Sequence, residues 1–306
     1  MIDKNKAKGA LYGLYVGDAL GAPLEFLNLD GVDPVKDYIE GGVHNVRTGQ
    51  FTDDTSMALA LMHSIVEKGF DKKDQMDKYL SWMLNGEYSS KGFCFDIGIA
   101  TQRALNNYKI TGIVDSGSTE NYSSGNGSLM RIAPALLYSY KDGEAAMIDM
   151  AKESSVTTHG SQTVLDSLTY FTSIFHKVLS GEKDKDKLLD FEPSKYGIDD
   201  LILIDELLKL DIKNYDKYDL KSSGYIVHTM ICVLWSFYHA DNFEDAIVNA
   251  INLGDSEQAD PDTIGAITGQ LAGAYYGYDN IPERWLKGLS NQDMLDGYTN
   301  AFLDTL

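Results

Sequence analysis

Residues 9–21 of the chain, Gly9-Ala-Leu-Tyr-Gly13-Leu-Tyr-Val-Gly17-Asp-Ala-Leu-Gly21, place four glycines at intervals of four. Residues four apart lie on one face of a helix, so these glycines form a bare ridge along it. Residues 265–277, near the other end of the chain, repeat the same spacing. Glycine inside a helix costs about 1 kcal/mol relative to alanine. The two ridges therefore predict that another backbone packs closely against each of these helices.

The chain between the two ridges also has helical periodicity. In residues 55–68, Met57, Leu61 and Ile65 fall on one helix face. No segment alternates polar and apolar residues for long enough to require a strand. The sequence thus predicts an all-α fold in a single compact multi-helix domain, residues 1–306, in which the charged residues 182–222 form a surface excursion. Similar helical patterns occupy residues 75–84, 97–108, 129–140, 161–179, 199–210, 225–239 and 243–252.

Composition narrows the class of protein. The 306 residues are 43% hydrophobic and 24% charged, which is enough for a sizeable core. The net charge of −20 repels phosphate backbones and anionic lipid, so we expect neither nucleic acid nor membrane as a partner. Cys94 and Cys232 are too few for a disulfide framework and are interpreted as reduced thiols. Without a signal-peptide pattern at the N-terminus, these features predict a cytoplasmic protein.

Two short acidic clusters each precede a helical pattern. They are Thr52-Asp53-Asp54 and Asp260-Pro-Asp262-Thr263. Each cluster could simply cap its helix. Together, however, they offer four carboxylates and two hydroxyls, and Mg²⁺ and Mn²⁺ prefer such oxygen-only ligand sets. Carboxylates gathered without a cation would raise one another's pKa, a conflict that a dinuclear metal centre would relieve. The sequence therefore predicts a metal site between two helix starts, with two Mg²⁺ (or Mn²⁺) ions.

Four further features could contribute to binding or catalysis. Ser123–Ser128 is a glycine-rich loop before the helical pattern at Leu129, an arrangement that can present backbone N–H groups to a phosphate but can also be a surface turn. His159 stands alone in sequence, and a lone histidine is usually structural. Asp96 lies in an apolar setting, which is unusual for a carboxylate. Tyr225 opens an apolar helix and could stack on a base or simply pack.

In this order the motifs resemble the ADP-ribosylglycohydrolase family, and they look most like its dinitrogenase reductase-activating glycohydrolase branch. The resemblance covers essentially the whole chain, and its specificity comes from the joint order of strings that are modest singly. The strings are Gly17-Asp-Ala-Leu-Gly-Ala-Pro-Leu-Glu25, Gly49-Gln-Phe-Thr-Asp-Asp-Thr-Ser-Met57, Gly92-Phe-Cys-Phe-Asp-Ile-Gly98, Gly125-Asn-Gly-Ser-Leu-Met-Arg-Ile-Ala-Pro134, Thr157-Thr-His-Gly160, Gly224-Tyr225 and Asp260-Pro-Asp-Thr-Ile-Gly-Ala266.

The resemblance implies a role for each matching residue. Glu25 would lie near the metals and the scissile ribose, and Asp96 falls where the arginine-directed branch keeps a carboxylate near the bond that is cut. His159 and Tyr225 fall where the family contacts ADP-ribose. The diphosphate and distal ribose would be cradled by Gly125, Asn126, Gly127, Ser128 and Met130. The two metal ions would be bound by Thr52, Asp53, Asp54, Asp260, Asp262 and Thr263.

The implied activity is hydrolysis of ADP-ribose from an ADP-ribosylated protein. The cations would position a water for attack on the ribose, with Glu25, Asp54 or Asp260 as general base. Asp96 favours arginine as the acceptor because a carboxylate can bind a guanidinium through paired N–H donors. Asp96 could instead cap the helix that begins near Ile97. Rival hypotheses are a non-catalytic relative that binds ADP-ribose or is structural, and a metal phosphohydrolase that acts on a nucleotide.

The last motif departs from the family pattern. About one residue normally separates an Asn-Leu-Gly from the metal string, whereas Asp255-Ser-Glu-Gln-Ala259 stands here between Gly254 and Asp260. We expect metal binding to survive because the ligands and the helix after them are intact. The insertion of about four residues could add Asp255 or Glu257 to the rim of the site.

Overall fold

The computed structural model describes residues 2–29, 31–199, 203–254 and 258–306. Within these ranges the chain forms helices and turns, with isolated β-bridges in place of strands, which confirms the all-α prediction. The described helices are too short or too polar to cross a bilayer. In chain order they are α1 (Lys4–Gly21), α2 (Asp53–Lys68), α3 (Lys72–Asn85), α4 (Ile99–Thr111), α5 (Ala133–Ser139), α6 (Glu144–Ser155), α7 (Gln162–Leu179), α8 (Lys185–Leu189), α9 (Ile226–Tyr238), α10 (Phe243–Ile251), α11 (Pro261–Tyr276), α12 (Glu283–Gly288) and α13 (Gln292–Leu303).

The two glycine ridges pack against each other. A Cβ atom on Gly13 would lie 2.1 Å from the carbonyl oxygen of Gly269, and a Cβ on Gly17 would lie 2.0 Å from that of Gly265. These distances leave no room for any side chain, so the prediction of a close backbone is confirmed. At the end of the contact, a Cβ on Gly21 would lie 2.4 Å from Cα of Asp262. The C-terminal end of α1 is thereby held against the N-terminal end of α11.

The α1–α11 pair forms the centre of the fold. Every residue from 9 to 21 and from 261 to 274 is buried, the pattern of helices that are surrounded on all sides. Helices α2 and α13 pack against α1, while α9 and α10 pack against α11. The two chain segments that carry the metal motifs, at the starts of α2 and α11, are therefore both positioned from this central pair.

Two helical segments differ from the predictions. The helix predicted for residues 129–140 begins only at Ala133, because the side chain of Gln270 takes the carbonyl of Met130 and Pro134 has no N–H to bond back to it. The expectation that the glycine-rich loop opens directly into a helix is therefore wrong. In the predicted helix 199–210, residues 200–202 lie outside the described ranges, and Ile204–Leu208 forms a single π-helical segment.

Residues 182–222 carry short turns around α8, and most of their described side chains are exposed. Leu188, Ile212 and Leu220 are buried and join the hydrophobic core. None of the described residues in this part of the chain lines the cavity described next.

Candidate active site

A cavity of about 450 Å³ opens where the starts of α2, α4 and α11 converge. Most of the residues singled out from the sequence line it, although their motifs are spread along the whole chain. Ile99 and Thr101, from the first turn of α4, and Gly224, before α9, complete much of the wall. The sequence-predicted residues in the wall are Glu25, Asp53, Asp96, Gly125, Asn126, Gly127, Met130, His159, Asp260, Asp262 and Thr263. The predicted residues that do not line it are Thr52, Asp54, Ser128 and Tyr225.

The two acidic clusters meet beside this cavity. Oxygen atoms of Asp18, Asp54 and Asp262 lie within 4.8 Å of one another, and the same holds for Glu25, Asp260 and Asp262. Asp262 thus belongs to both groups. All five side chains except that of Asp260 are no more than 5% exposed, so the charges are gathered in a poorly hydrated place.

The clusters do not act as helix caps. Thr52 and Asp260 occupy the N-cap positions of α2 and α11, yet neither makes a side-chain capping hydrogen bond. Within the described part of the chain, Oδ1 of Asp54 and Oδ1 of Asp262 are buried without a hydrogen-bond partner. Leaving a buried carboxylate oxygen unsatisfied destabilises the fold.

Burial and mutual repulsion make the cluster electrostatically unfavourable by itself. Burial, and then the neighbouring carboxylates, raise the pKa of Asp53, Asp54 and Asp262 well above the usual value. An oxygen-liganded divalent cation would satisfy the orphaned oxygens and reverse this repulsion. The donor set therefore fits Mg²⁺ or Mn²⁺ on grounds independent of the sequence motifs.

Asp18 is a residue that the sequence analysis did not assign to the site. One of its oxygens accepts hydrogen bonds from N and Oγ1 of Thr52, both at 2.9 Å, and the other accepts from N and Oγ1 of Thr55 at 2.9 and 2.6 Å. Burial raises its pKa to about 6, against the effect of these bonds. Asp18 thus ties α1 to the start of α2. The sequence feature that could have identified Asp18 is a lone carboxylate inside an apolar helix with a glycine ridge.

His44 is a second residue that sequence analysis missed. Its Nε2 lies 2.6 Å from Oε2 of Glu25 and 3.0 Å from Oδ1 of Asp96. Hydrogen bonding to Asp96, and then to Glu25, raises the pKa of His44 to about 10, so the imidazole is cationic at neutral pH. Burial raises the pKa of Glu25 to about 8, and the bond from His44 opposes that rise.

Asp96 does not cap α4. The N-cap of that helix is Gly98, which makes no side-chain capping bond, and Asp96 faces His44 instead. Its φ of +60° lies in the left-handed region, which non-glycine residues seldom adopt. The backbone strain accompanies a side chain that is aimed at the cavity and only 12% exposed.

The glycine-rich loop is tied both to the acidic cluster and to the protein interior. Nδ2 of Asn126 donates to Oδ2 of Asp260 at 2.7 Å. The buried guanidinium of Arg131 donates to the carbonyl of Gly127 at 2.7 Å and to Oγ1 of Thr158 at 2.5 Å. These contacts fix the loop at the cavity wall.

His159 lies directly beneath this loop. A Cβ atom on Gly127 would lie 2.8 Å from Cε1 of the imidazole, so the loop and the ring are in close contact. Burial, and then the charge of Arg131, lower the pKa of His159 to about 3, which keeps the ring neutral at physiological pH. Its Nδ1 lies 2.8 Å from Oγ1 of Thr158.

Two predicted substrate-binding residues point elsewhere. Oγ of Ser128 is buried and accepts a hydrogen bond from Oγ of Ser155 at 2.7 Å. Tyr225 pairs with Gly125 through its backbone, while its side chain lines a neighbouring cavity of about 550 Å³ together with His228.

The insertion before the last motif reaches the cavity. Asp255 and Glu257 lie outside the described residues, so their expected place on the rim stays a prediction. Gln258 lines the cavity wall, and the carbonyl of Ala259 accepts a hydrogen bond from the backbone N–H of Phe26 at 2.9 Å. The inserted segment therefore holds the residue that follows Glu25.

Comparisons with known proteins identify the family of the chain. Residues 2–306 match the sequence profile of the ADP-ribosylglycohydrolase family. The chain is 37% identical to the ADP-ribosylarginine hydrolase Tri1 of Serratia proteamaculans (strain 568) over 95% of its own length and 77% of that protein's. It is 30% identical to the ADP-ribosyl-[dinitrogen reductase] glycohydrolase of Rhodospirillum rubrum, over 93% and 90% of the two chains. A solved structure described as an ADP-ribosylglycohydrolase-related protein complex superposes with a TM-score of 0.84 at 35% identity, covering 99% of this chain and 98% of that one. The chain therefore belongs to the ADP-ribosylglycohydrolase family.

Proposed function

We propose that this protein is a divalent-cation-dependent hydrolase that releases ADP-ribose from ADP-ribosylated arginine side chains of proteins. The observation that carries the proposal is that the orphaned carboxylates of two distant motifs meet beside the cavity that Glu25 and Asp96 line. The Serratia and Rhodospirillum relatives, which are named as an ADP-ribosylarginine hydrolase and an ADP-ribosyl-[dinitrogen reductase] glycohydrolase, support the same function.

The metal-binding residues follow from the cluster. We assign Asp53, Asp54, Asp260 and Asp262 as carboxylate ligands, with Thr52 and Thr263 as hydroxyl ligands. Two Mg²⁺ or Mn²⁺ ions are proposed because Asp262 is shared between two groups of clustered carboxylates. Cations bound there would supply Lewis-acid activation of a water and orientation of the ribose hydroxyls.

The chain's own residues divide the remaining tasks. The loop from Gly125 to Ser128, together with Met130, holds the diphosphate and distal ribose, and His159 supports this loop from below as a neutral ring. Tyr225 contributes through its backbone pairing with Gly125, which sets the position of the loop.

We assign proton transfer to the carboxylates near the ribose carbon that the water attacks. Glu25 is the first choice as general base, because it lines the cavity next to Asp260 and Asp262. Asp54 or Asp260, from the proposed ligand set, is the alternative base. Asp96 binds the departing guanidinium through its carboxylate, which a serine leaving group could not exploit in the same forked manner.

The test is a hydrolysis assay with chemically defined linkages. Purified protein is incubated with proteins ADP-ribosylated on arginine or on serine, in Mg²⁺, in Mn²⁺ and after chelation, and the released nucleotide is identified. We expect free ADP-ribose from the arginine-linked protein only when metal is present. Asp54→Asn should abolish release, whereas the exposed control Asp142→Asn should not change it. Release of phosphate or AMP would show a nucleotide phosphohydrolase, and binding of ADP-ribose without any release would show a non-catalytic protein. The cytoplasmic location stays a prediction from composition.

A further inference from the structure

The tip of the segment between α1 and α2 places a histidine against two active-site carboxylates. His44 lies in a tight turn closed by two backbone hydrogen bonds between Gly41 and Val46, at 2.9 and 2.8 Å. From this turn its ring reaches Glu25 at 2.6 Å and Asp96 at 3.0 Å. Both carboxylates line the cavity, whereas the imidazole does not, so His44 meets them from outside the cavity.

Aromatic side chains flank the imidazole. The ring centroid of Phe26 lies 6.4 Å from that of His44, and the ring centroid of Phe95 lies 5.7 Å from it. A guanidinium binds well where aromatic rings lie beside it and carboxylates lie at its end, through cation–π contact and paired hydrogen bonds. These neighbours therefore form a subsite for a planar cation, and the imidazole of His44 occupies it.

The position of this subsite relative to the cavity decides what it is for. The proposed function places the acceptor side chain beside Asp96, which lines the cavity. His44 contacts the same carboxylate at 3.0 Å. We infer that His44 is an internal stand-in for the acceptor, which occupies the guanidinium subsite formed by Glu25, Asp96, Phe26 and Phe95 until the modified arginine displaces it. This inference rests on the proposed function, since it assigns the acceptor subsite of the same reaction.

Displacement needs little rearrangement. The imidazole is 18% exposed, and rotation of the side chain frees both carboxylates while the Gly41–Val46 turn keeps its backbone bonds. Lys91 donates to the backbone carbonyl of His44 and its Nζ lies 4.2 Å from the centroid of Phe95. Because that bond goes to the backbone, Lys91 stays in place when the histidine side chain is removed and does not take over the subsite.

Every acceptor must displace an imidazole that already pairs with both carboxylates. A neutral side chain forms weaker hydrogen bonds with these carboxylates than a cation does. A guanidinium replaces one planar cation with another and restores both hydrogen bonds. The stand-in therefore lowers the apparent affinity of every acceptor by the same factor, the fraction of molecules in which the subsite is free, and the preference for a guanidinium comes from the hydrogen bonds that it makes once bound.

The experiment measures binding of acceptor analogues, with no turnover. Agmatine, which ends in a guanidinium, and butylurea, which has a similar planar end without charge, are titrated calorimetrically into the Mg²⁺-loaded protein. The variants are His44→Ala, His44→Asn, whose side chain is too short to bridge both carboxylates, and His63→Ala, which removes a histidine paired with Glu67 outside the cavity. Circular dichroism checks that each variant is folded.

We expect His44→Ala and His44→Asn to bind agmatine about tenfold more tightly than the wild type, because the internal competitor is gone. Affinity for butylurea should rise by the same factor but stay far below that for agmatine, affinity for ADP-ribose should not change, and His63→Ala should behave as the wild type. Unchanged or weaker agmatine binding in both His44 variants would overturn the inference and leave His44 as a brace for the two carboxylates. The proposed function fails by a different result, the absence of ADP-ribose release from arginine-linked protein by the wild type.

Discussion

Replacing Gly13 by alanine tests how the two central helices are held together. In an ordinary helix interior this change would stabilise the protein by about 1 kcal/mol, because alanine is the better helix former. Here the new Cβ would lie 2.1 Å from the carbonyl oxygen and 2.8 Å from the carbonyl carbon of Gly269. Both are backbone atoms, so no rotamer change relieves the overlap. The axes of α1 and α11 must separate by roughly 1 Å to restore ordinary contact distances.

The cost of this separation exceeds the gain in helix propensity. Overpacking of a well-packed core typically costs about 1–3 kcal/mol, and contact between two backbones belongs at the upper end. We therefore expect Gly13→Ala to lower the free energy of unfolding by roughly 1–2 kcal/mol after the propensity gain is included. Urea denaturation followed by circular dichroism measures the change.

A matched glycine elsewhere provides the control. Gly297 lies inside α13, has no left-handed φ, and has open space where a Cβ would stand. Gly297→Ala should stabilise the protein by about 0.5–1 kcal/mol, the opposite sign from Gly13→Ala. If Gly13→Ala proves as stable as the wild type or more stable, the two ridges are not in backbone contact in solution and the account of the central pair is wrong.

Three further predictions concern the site. Gly127→Val should weaken ADP-ribose binding at least tenfold in calorimetry, because its Cβ would lie 2.8 Å from Cε1 of His159 and push the loop into the cavity; unchanged affinity would mean that the loop does not contact the ligand. Asp96→Asn should fold normally and keep its affinity for ADP-ribose but lose most of its activity on ADP-ribosyl-arginine, since the amide lacks the charge that binds the guanidinium; wild-type turnover would refute the assigned role. Burial lowers the pKa of His159 from 6.5 to about 3 in the folded protein, so below pH 6.5 the unfolded chain takes up a proton that the folded chain does not. The free energy of unfolding should therefore fall by up to about 1.4 kcal/mol per pH unit as the pH drops toward 3. His159→Gln should have a shallower decline between pH 6.5 and 5 in urea melts, and an identical decline in both proteins would contradict the assignment.

A feature could be predicted from the sequence where its residue pattern is compatible with only one three-dimensional arrangement. Glycines four apart on a helix leave a backbone-wide groove whatever surrounds them, so the contact of the ridge around Gly13 followed from spacing alone. The acidic clusters at Asp54 and Asp262 were also visible, because paired carboxylates at helix starts are chemically unusual when their number exceeds what capping requires.

The features that were missed depend on tertiary contacts. His44 lies in an irregular segment whose residues have no periodicity, and only the folded chain brings it to Glu25 and Asp96. The late start of α5 depends on Gln270, whose side chain competes for a carbonyl more than a hundred residues away in sequence. Asp18 was quoted within a motif, but its four hydrogen bonds to Thr52 and Thr55 require the approach of α2.

The contact between α1 and α11 has a consequence for how this enzyme can change over time. Its spacing is set by main-chain atoms, which every residue possesses, so the separation between Gly21 and Asp262 does not depend on the shapes of the surrounding side chains. Substitutions in the outer helices can alter the core without altering the distance between the two halves of the acidic cluster. The α1–α11 pair therefore sets a fixed distance inside the molecule. A protein that keeps these glycines can change the rest of its interior, and the surface that contacts its protein substrates, without changing that distance.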